Sequence, residues 1–271
     1  MNQKERSFVE VVKHFYRISG RHDLPWRHTA DPYHILVSEL MLQQTQVARV
    51  IPKYEEFVAR WPNAQHLANA QLGDVLRAWQ GLGYNRRAKF LHEAVRVVTN
   101  ELAGQFPQNE LELQKLPGLG PYTAAAICAF AYNQPVALIE TNVRQVFLHH
   151  FYKNKEQITD TEILTLVKKT LPSKNIRKWY WALMDYGSYL KQQHGNLGRK
   201  SKHYTKQSKF KGSDREVRGA IVRTLGSGAK SLAQIKTDLV PLLPEQITMQ
   251  LPKLLSEGLI VKEGSSRYRL P

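Results

Sequence analysis

From Asp31 to about residue 190, apolar residues recur at helical spacing and only short turns interrupt them. No stretch in that span sustains period-2 alternation, so the body of the chain is predicted to be all-α. The first clear start is Asp31-Pro32, an N-cap followed by proline at the first helical position, with Ile35, Leu36, Leu40 and Leu42 behind it. Further helices are predicted at 49–61, 64–70, 72–80, 85–103, 109–116, 122–132, 142–152, 160–171 and 176–192. No repeat of fixed period occurs.

The pattern changes at Lys191. The stretch 191–211 holds seven Lys/Arg, two His and no acid, with little apolar content, and reads as an extended arm. A compact unit follows at 213–271. Helices are predicted at 213–225, 231–239 (Ser231 as N-cap) and 244–257. Leu259-Ile260-Val261 and Tyr268-Arg269-Leu270 then flank the turn Glu263-Gly264-Ser265-Ser266. Three helices and a terminal hairpin make a winged-helix pattern, whose third helix either enters a DNA groove or docks a protein.

A chain of 271 residues, 42% hydrophobic and 23% charged, has room for a core without staples, and is neither fibrous nor wholly disordered. No run approaches the roughly 20 apolar residues that span a bilayer. The opening Met1-Asn2-Gln3-Lys4-Glu5-Arg6 lacks the apolar run of a secretory signal. One cysteine excludes a disulfide framework, and the expected setting is the cytoplasm, with no membrane partner. The net charge of +16 draws the chain towards polyanions. That excess is uneven, with sixteen basic and six acidic side chains in residues 191–271. Nucleic acid is the expected partner.

Three motifs carry chemistry. In Leu116-Pro117-Gly118-Leu119-Gly120-Pro121-Tyr122-Thr123-Ala124, Gly118 and Gly120 allow a tight turn whose amides face outward at the next helix's N-terminus, a cradle for a phosphate oxygen. In Val136-Ala137-Leu138-Ile139-Glu140-Thr141-Asn142-Val143, a carboxylate stands just before Thr141, a good N-cap. The acid either complements the helix dipole or does chemistry. In Ser38-Glu39-Leu40-Met41-Leu42-Gln43-Gln44-Thr45-Gln46-Val47, Glu39 lies among apolar neighbours. It either faces solvent or is buried and kept as a proton donor near neutral pH.

Taken in order, Trp26-Arg27, SELMLQQTQV, Gly81-Leu82-Gly83-Tyr84, LPGLGPYTA and the acid before Asn142 closely resemble the helix-hairpin-helix DNA glycosylases, in particular the adenine (MutY-type) branch. The likeness runs over roughly residues 7–190. It implies a two-lobed helical glycosylase fold, with 22–134 as a six-helix domain bearing the hairpin and 1–21 with 135–190 as the second lobe. The basic arm would be 191–212 and the small winged-helix-like domain 213–271. It also implies a monofunctional enzyme of base excision repair, acting as a monomer near the nucleoid on double-stranded DNA. That enzyme would hydrolyse the N-glycosidic bond of a flipped purine, above all adenine mispaired with guanine or 8-oxoguanine. An alkylated or deaminated adenine is the alternative substrate, and a non-catalytic DNA-binding protein on the same scaffold the alternative function.

By resemblance, Glu39 is the general acid, Glu140 stabilises the cationic sugar, and Asn142 supports Glu140. Tyr122 stands where bifunctional relatives such as endonuclease III carry a nucleophilic lysine, so no Schiff base is expected. Gln44 and Tyr84 wedge into the duplex, while Trp26, Arg27, Leu42 and Thr45 line the base pocket and wedge. Gly118, Gly120, Arg199, Lys200 and Lys202 would meet the DNA backbone.

Three departures stand out. The family's catalytic aspartate is glutamate here. The four-cysteine iron–sulfur loop expected after Ala182-Leu183-Met184-Asp185-Tyr186-Gly187 is missing, so no cofactor is expected and no metal site is assigned. The usual C-terminal domain, which resembles nucleotide hydrolases and checks for 8-oxoguanine, is replaced by the segment 213–271. Cys128, His149-His150 and Trp179-Tyr180-Trp181 are read as packing or surface residues, and His194 and His203 as arm residues facing phosphate or solvent.

Overall fold

The computed structural model describes residues 1–202, 204–206 and 209–271, so His203 lies outside the described residues. In chain order the helices are α1 (Gln3–Ser19), α2 (Pro32–Leu42), α3 (Val47–Arg60), α4 (Ala64–Ala68), α5 (Leu72–Ala78), α6 (Arg86–Glu101), α7 (Glu110–Leu113), α8 (Pro121–Phe130), α9 (Thr141–Phe151), α10 (Asp160–Thr170) and α11 (Ile176–His194). After them come α12 (Asp214–Thr224), β1 (Lys230–Ser231), α13 (Leu232–Asp238), α14 (Pro244–Ser256), β2 (Val261–Glu263) and β3 (Arg267–Arg269). The all-α body is as predicted, with the only ladder among the described residues at the C-terminus.

Local chemistry accounts for several starts. Asp31 Oδ1 accepts from the Tyr33 amide at 2.8 Å, capping α2 ahead of Pro32. Ser231 and Gln234 form a reciprocal capping box at α13. The same device, Asn2 with Glu5, opens α1, whose Phe8, Val9 and Val12 are buried.

The chain forms two compact units, residues 1–35, 107–115 and 119–206 in one, and 36–106, 116–118 and 207–271 in the other. The expected six-helix segment 22–134 is therefore shared between them, and 213–271 belongs with 36–106. In the first unit α11 packs on α9, α1 and α8. Phe8 lies against Phe147, Phe151 and Trp179 with ring centroids 5.1, 5.1 and 6.1 Å away.

In the second unit α4 and α5 pack on α6, and Trp79, Leu76, Leu91 and Phe57 fill the core. The last sixty residues are tied to the same unit by hydrogen bonds, one between backbones and one from a side chain. Gly73 N donates to Pro271 O at 3.0 Å, and Arg77 Nε to Gly226 O at 3.0 Å. Helices α12–α14 carry a three-stranded antiparallel sheet in the order β1-β3-β2, with Lys262 opposite Tyr268. Strand β2 starts two residues later than the apolar pattern suggests and β3 one residue earlier, with buried Leu259 and Ile260 as the lead-in rather than as strand.

The extended arm predicted from Lys191 needs correction at its start. Helix α11 runs on to His194, a 3-10 turn follows at Leu197–Lys200, and Ser201 forms a parallel bridge with Ile158. The reason is Gln145, 1% exposed. Its amide donates to Gly195 O at 2.8 Å and accepts from the Leu197 amide at 2.9 Å, anchoring the chain just past the helix.

Candidate active site

In the first unit, Glu140 is the N-cap of α9, and Thr141, expected to be the cap, is the first helical residue. One Glu140 oxygen accepts from the Asn142 and Val143 amides at 2.7 and 2.8 Å. The other accepts from the Thr141 hydroxyl at 3.0 Å and from Asn142 Nδ2 at 3.2 Å. The longer glutamate side chain thus fills a role usual for aspartate and holds its charge at the positive end of α9. Burial pushes the Glu140 carboxyl above its ordinary range, against the pull of these donors and of Arg144. Asn142 stands beside Glu140, as expected. Its backbone is closely overlaid by α11, since a Cβ on Gly187 would lie 2.2 Å from Asn142 O.

Arg27 is buried, yet its guanidinium is engaged by a residue the sequence reading gave no role. It binds Asp185 through two bonds of 2.7 and 2.9 Å and donates to Arg21 O at 2.8 Å. Arg21 adds its backbone amide and side chain to the same carboxylate. Burial alone would push Asp185 up, but Arg27 and Arg21 hold it below its usual value. The Arg27 guanidinium also faces the Trp181 ring, 5.4 Å from its centroid. Trp26 is buried beside it in sequence, and Tyr122 is half-buried in the first turn of α8.

The second unit holds Glu39 and the remaining residues expected to form the pocket and wedge. Glu39 is 7% exposed in α2, so the solvent-facing alternative is set aside. Immediately after α2 the chain turns through Gln44 at φ 55°, and in the next motif Gly81, Gly83 and Tyr84 have φ 93°, 71° and 48°. The two expected wedge residues are therefore both non-glycine residues in the left-handed region. Gln44 and Tyr84 are exposed, while Leu42 and Thr45 are half-buried. Thr45 Oγ1 donates to Leu82 O at 3.3 Å, joining the two turns.

Of the hairpin glycines, Gly118 is required by conformation and by space, with φ 72° and a would-be Cβ 2.4 Å from Phe90. Gly120 has an ordinary φ of −80° and caps α8, and a Cβ there would meet nothing within 4 Å. Arg199 and Lys202 are exposed, whereas Lys200 is half-buried, donating to Lys153 O at 2.6 Å and pairing with Glu156 at 3.4 Å.

An iron–sulfur cluster does not fit these residues. Cys128 is the only cysteine in the sequence and is buried in α8, its thiol pushed up to about 11 by burial. Among the described residues no group of three or more His, Cys, Asp or Glu could hold a metal ion. No described helix is long and apolar enough to cross a membrane. His149 stacks on His194 at 4.8 Å, and the His150 ring bonds Tyr186 at 3.0 Å, which accounts for both as packing groups.

Residues 37–173, from within α2 to just past α10, match the family model of HhH-GPD superfamily base excision DNA repair proteins. The chain belongs to that superfamily. It is 34% identical to an adenine DNA glycosylase of Mycolicibacterium smegmatis, over 93% of this chain and 92% of that one. To an adenine DNA glycosylase of Mycobacterium tuberculosis it is 32% identical, over 95% and 91%. Among solved structures, a thermostable thymine-DNA glycosylase superposes with a TM-score of 0.62 at 29% identity, covering 69% of this chain and 87% of that one. The mycobacterial alignments cover too much of the chain to stop at residue 190, so the likeness reaches into the C-terminal segment that the motifs left outside it.

Proposed function

We propose that this HhH-GPD chain is a monofunctional adenine DNA glycosylase of base excision repair, which releases adenine from a mispair with guanine or 8-oxoguanine. The observation that carries the reading is the presence, in one chain of this superfamily, of a buried acid at Glu39 and a carboxylate at Glu140 fixed on a helix N-terminus, with Tyr122 and no amine opening α8. The substrate is supported by relatives named adenine DNA glycosylases that align over nine-tenths of both chains.

The chemistry divides between the two acids. Breaking an N-glycosidic bond needs a neutralised leaving base and a stabilised oxocarbenium-like sugar. Glu39 gives its proton to a ring nitrogen of the flipped adenine, and the bonding pair leaves with the base. The Glu140 carboxylate faces the cation at C1′ until water adds there, and the water's proton passes to solvent. Asn142 keeps Glu140 oriented through its 3.2 Å bond. Tyr122 has no amine to form a Schiff base, so the product is an intact abasic site. Gln44 and Tyr84 occupy the space the target base leaves in the stack. The hairpin at Gly118 and Gly120, with exposed Arg199 and Lys202, meets phosphate. We read α12–α14 and their sheet as a winged-helix-like module.

A panel of duplexes carrying adenine, alkylated adenine or deaminated adenine opposite each base, scored for abasic sites under single-turnover conditions, tests the assignment. Adenine opposite guanine or 8-oxoguanine should react fastest, borohydride should trap no covalent complex, and Glu39→Gln should stop base release while duplex affinity persists. Preference for another lesion, a borohydride-trapped complex, or full turnover by Glu39→Gln would each overturn it.

A further inference from the structure

Both exposed wedge residues sit on turns that are unfavourable for their side chains, and neither turn lies inside a helix that would hold it. Left-handed backbone at a non-glycine residue is strained and persists only where surrounding structure over-determines it. The structure supplies one such group, Arg87, in the first turn of α6 and 7% exposed.

Its guanidinium reaches six acceptors. Nη1 shares its two N–H groups among Leu40 O at 2.5 Å, Met41 O at 3.1 Å and Gln43 O at 2.6 Å. Nη2 shares its two among Thr45 Oγ1 at 3.3 Å, Leu82 O at 3.0 Å and Gly83 O at 3.0 Å. The first three acceptors are the last carbonyls of α2 and the residue before Gln44. The other three are the residue after Gln44 and the two residues before Tyr84. One planar cation thus ties the backbone on both sides of Gln44 to the turn that presents Tyr84. Its charge complements the negative end of α2 and the open carbonyls there. The ring faces of Trp79 and Tyr84 lie 5.6 and 5.5 Å from the guanidinium carbon. Burial costs the cation enough to bring its pKa down to about 10. Among the described residues no carboxylate accepts from it, and five of its six acceptors are backbone carbonyls, a pattern suited to fixing backbone.

We propose that Arg87 is the positioning residue of the wedge: it locks the Gln43–Thr45 and Gly81–Tyr84 turns in one register, so that Gln44 and Tyr84 enter the duplex together. The assignment rests on the reading of Gln44 and Tyr84 as wedge residues. Lysine is the informative substitution, because it keeps the charge but brings three N–H donors on one nitrogen in place of a planar fork.

The test measures three properties of Arg87→Lys: thermal unfolding, affinity for an undamaged duplex, and the fluorescence rise of 2-aminopurine placed at the target position, which reports unstacking. The variant should fold and hold undamaged duplex within about threefold of wild type, since a phosphate-contact surface is untouched. It should lose most of the fluorescence rise and about a hundredfold in single-turnover rate, the scale of an ångström-sized misplacement. A core staple without a positioning role would lower the melting temperature and leave the fluorescence of the folded fraction unchanged, and that result overturns the proposal. If Arg87→Lys does not fold, Thr45→Val decides, because it removes the hydroxyl shared by Arg87 and Leu82 O and keeps the shape. Unchanged 2-aminopurine fluorescence in Thr45→Val then overturns the proposal. Gln44→Ala and Tyr84→Ala separate the two claims. Full unstacking in both sinks the wedge reading itself, whereas loss in both with full unstacking in Arg87→Lys sinks only the role of Arg87.

Discussion

Glu140→Gln separates the two roles that converge on one carboxylate. The substitution keeps the cap: its amide oxygen can still accept from the Asn142 and Val143 amides, now 2.7 and 2.8 Å from Oε1. What disappears is the anion that the proposed function sets against the sugar cation. Loss of one preorganised electrostatic partner slows bond cleavage by about 10²–10³, or about 2.7–4 kcal/mol. Stability should move the other way. Burial pushes the Glu140 carboxyl up despite the opposing amides, Thr141 hydroxyl and Arg144. The folded protein therefore holds this proton more readily than the unfolded chain does. Its contribution to stability is full below the unfolded pKa of about 4.3 and is lost as pH rises through the folded value. Above that folded value wild type carries the charge at a loss and Glu140→Gln does not, so there the variant should be at least as stable, with the gap closing towards pH 4. Glu140→Ala removes the cap as well and should destabilise by about 0.5–2 kcal/mol. Single-turnover abasic-site formation at pH 7.5, with thermal unfolding from pH 4 to 8, measures both effects. The wild-type rate should fall on acidification with a midpoint above the ordinary carboxylate value. Turnover of Glu140→Gln within about tenfold of wild type would refute the charge role. A variant less stable than wild type at pH 7.5 would refute the burial argument.

Asp185→Asn leaves Arg27, with a side chain 3% exposed, without its anion. Unfolding should become easier by about 3–5 kcal/mol, with the difference shrinking as pH falls below the ordinary carboxylate range, because Asp185 is held low and its stabilisation is lost on protonation. Gly118→Ala should cost about 2–5 kcal/mol from left-handed strain and the clash with Phe90, measured by denaturant unfolding. Gly120→Ala should stay within about 0.5 kcal/mol of wild type while weakening duplex affinity, because its Cβ meets only open space, which the proposed function gives to phosphate. Gln145→Leu should speed amide exchange at Leu197 and flatten the salt dependence of duplex binding if the anchored arm presents Arg199 and Lys202.

Most helices were legible because their signals are local. Asp31-Pro32 and Ser231 with Gln234 announce starts through side chains two or three residues away, and the structure uses both. Helix α1 carried the same signal in Asn2 and Glu5, which the motif reading passed over. Strand β1 had no signal to offer, since two residues acquire strand geometry only by pairing with β3 almost forty positions on. The site divides along the same line. Glu39, Glu140, Gln44 and Tyr84 stand in dense motifs. Arg87 and Asp185 do not, because what singles them out is their partners. Those of Arg87 are mainly backbone carbonyls that look alike in any sequence, and those of Asp185 lie more than 150 positions away. The left-handed φ at Gln44 and Tyr84 is equally invisible to composition, and it is the feature that makes Arg87 intelligible.

The same contrast explains how a superfamily member with one cysteine anchors the segment where a four-cysteine cluster loop was expected. A cluster fixes a loop through four thiolates. Here the chain after α11 is fixed through dispersed hydrogen bonds. Gln145 grips Gly195 and Leu197 from α9, Ile158 exchanges backbone bonds with Lys200 and Lys202 at 3.0 and 2.9 Å, and Lys200 reaches Lys153 O. Each link alone is worth about 1 kcal/mol, so no single one replaces a metal centre. Their placement matters more than their sum. They consume the half-buried Lys200 as a structural group and leave Arg199 and Lys202 exposed, so the segment's charge faces outward without any redox-active or oxidisable ligand. Such an anchor should withstand chelators and oxidants and fail instead on loss of the buried Gln145 amide, which joins α9 to the arm in the unit that also carries Glu140.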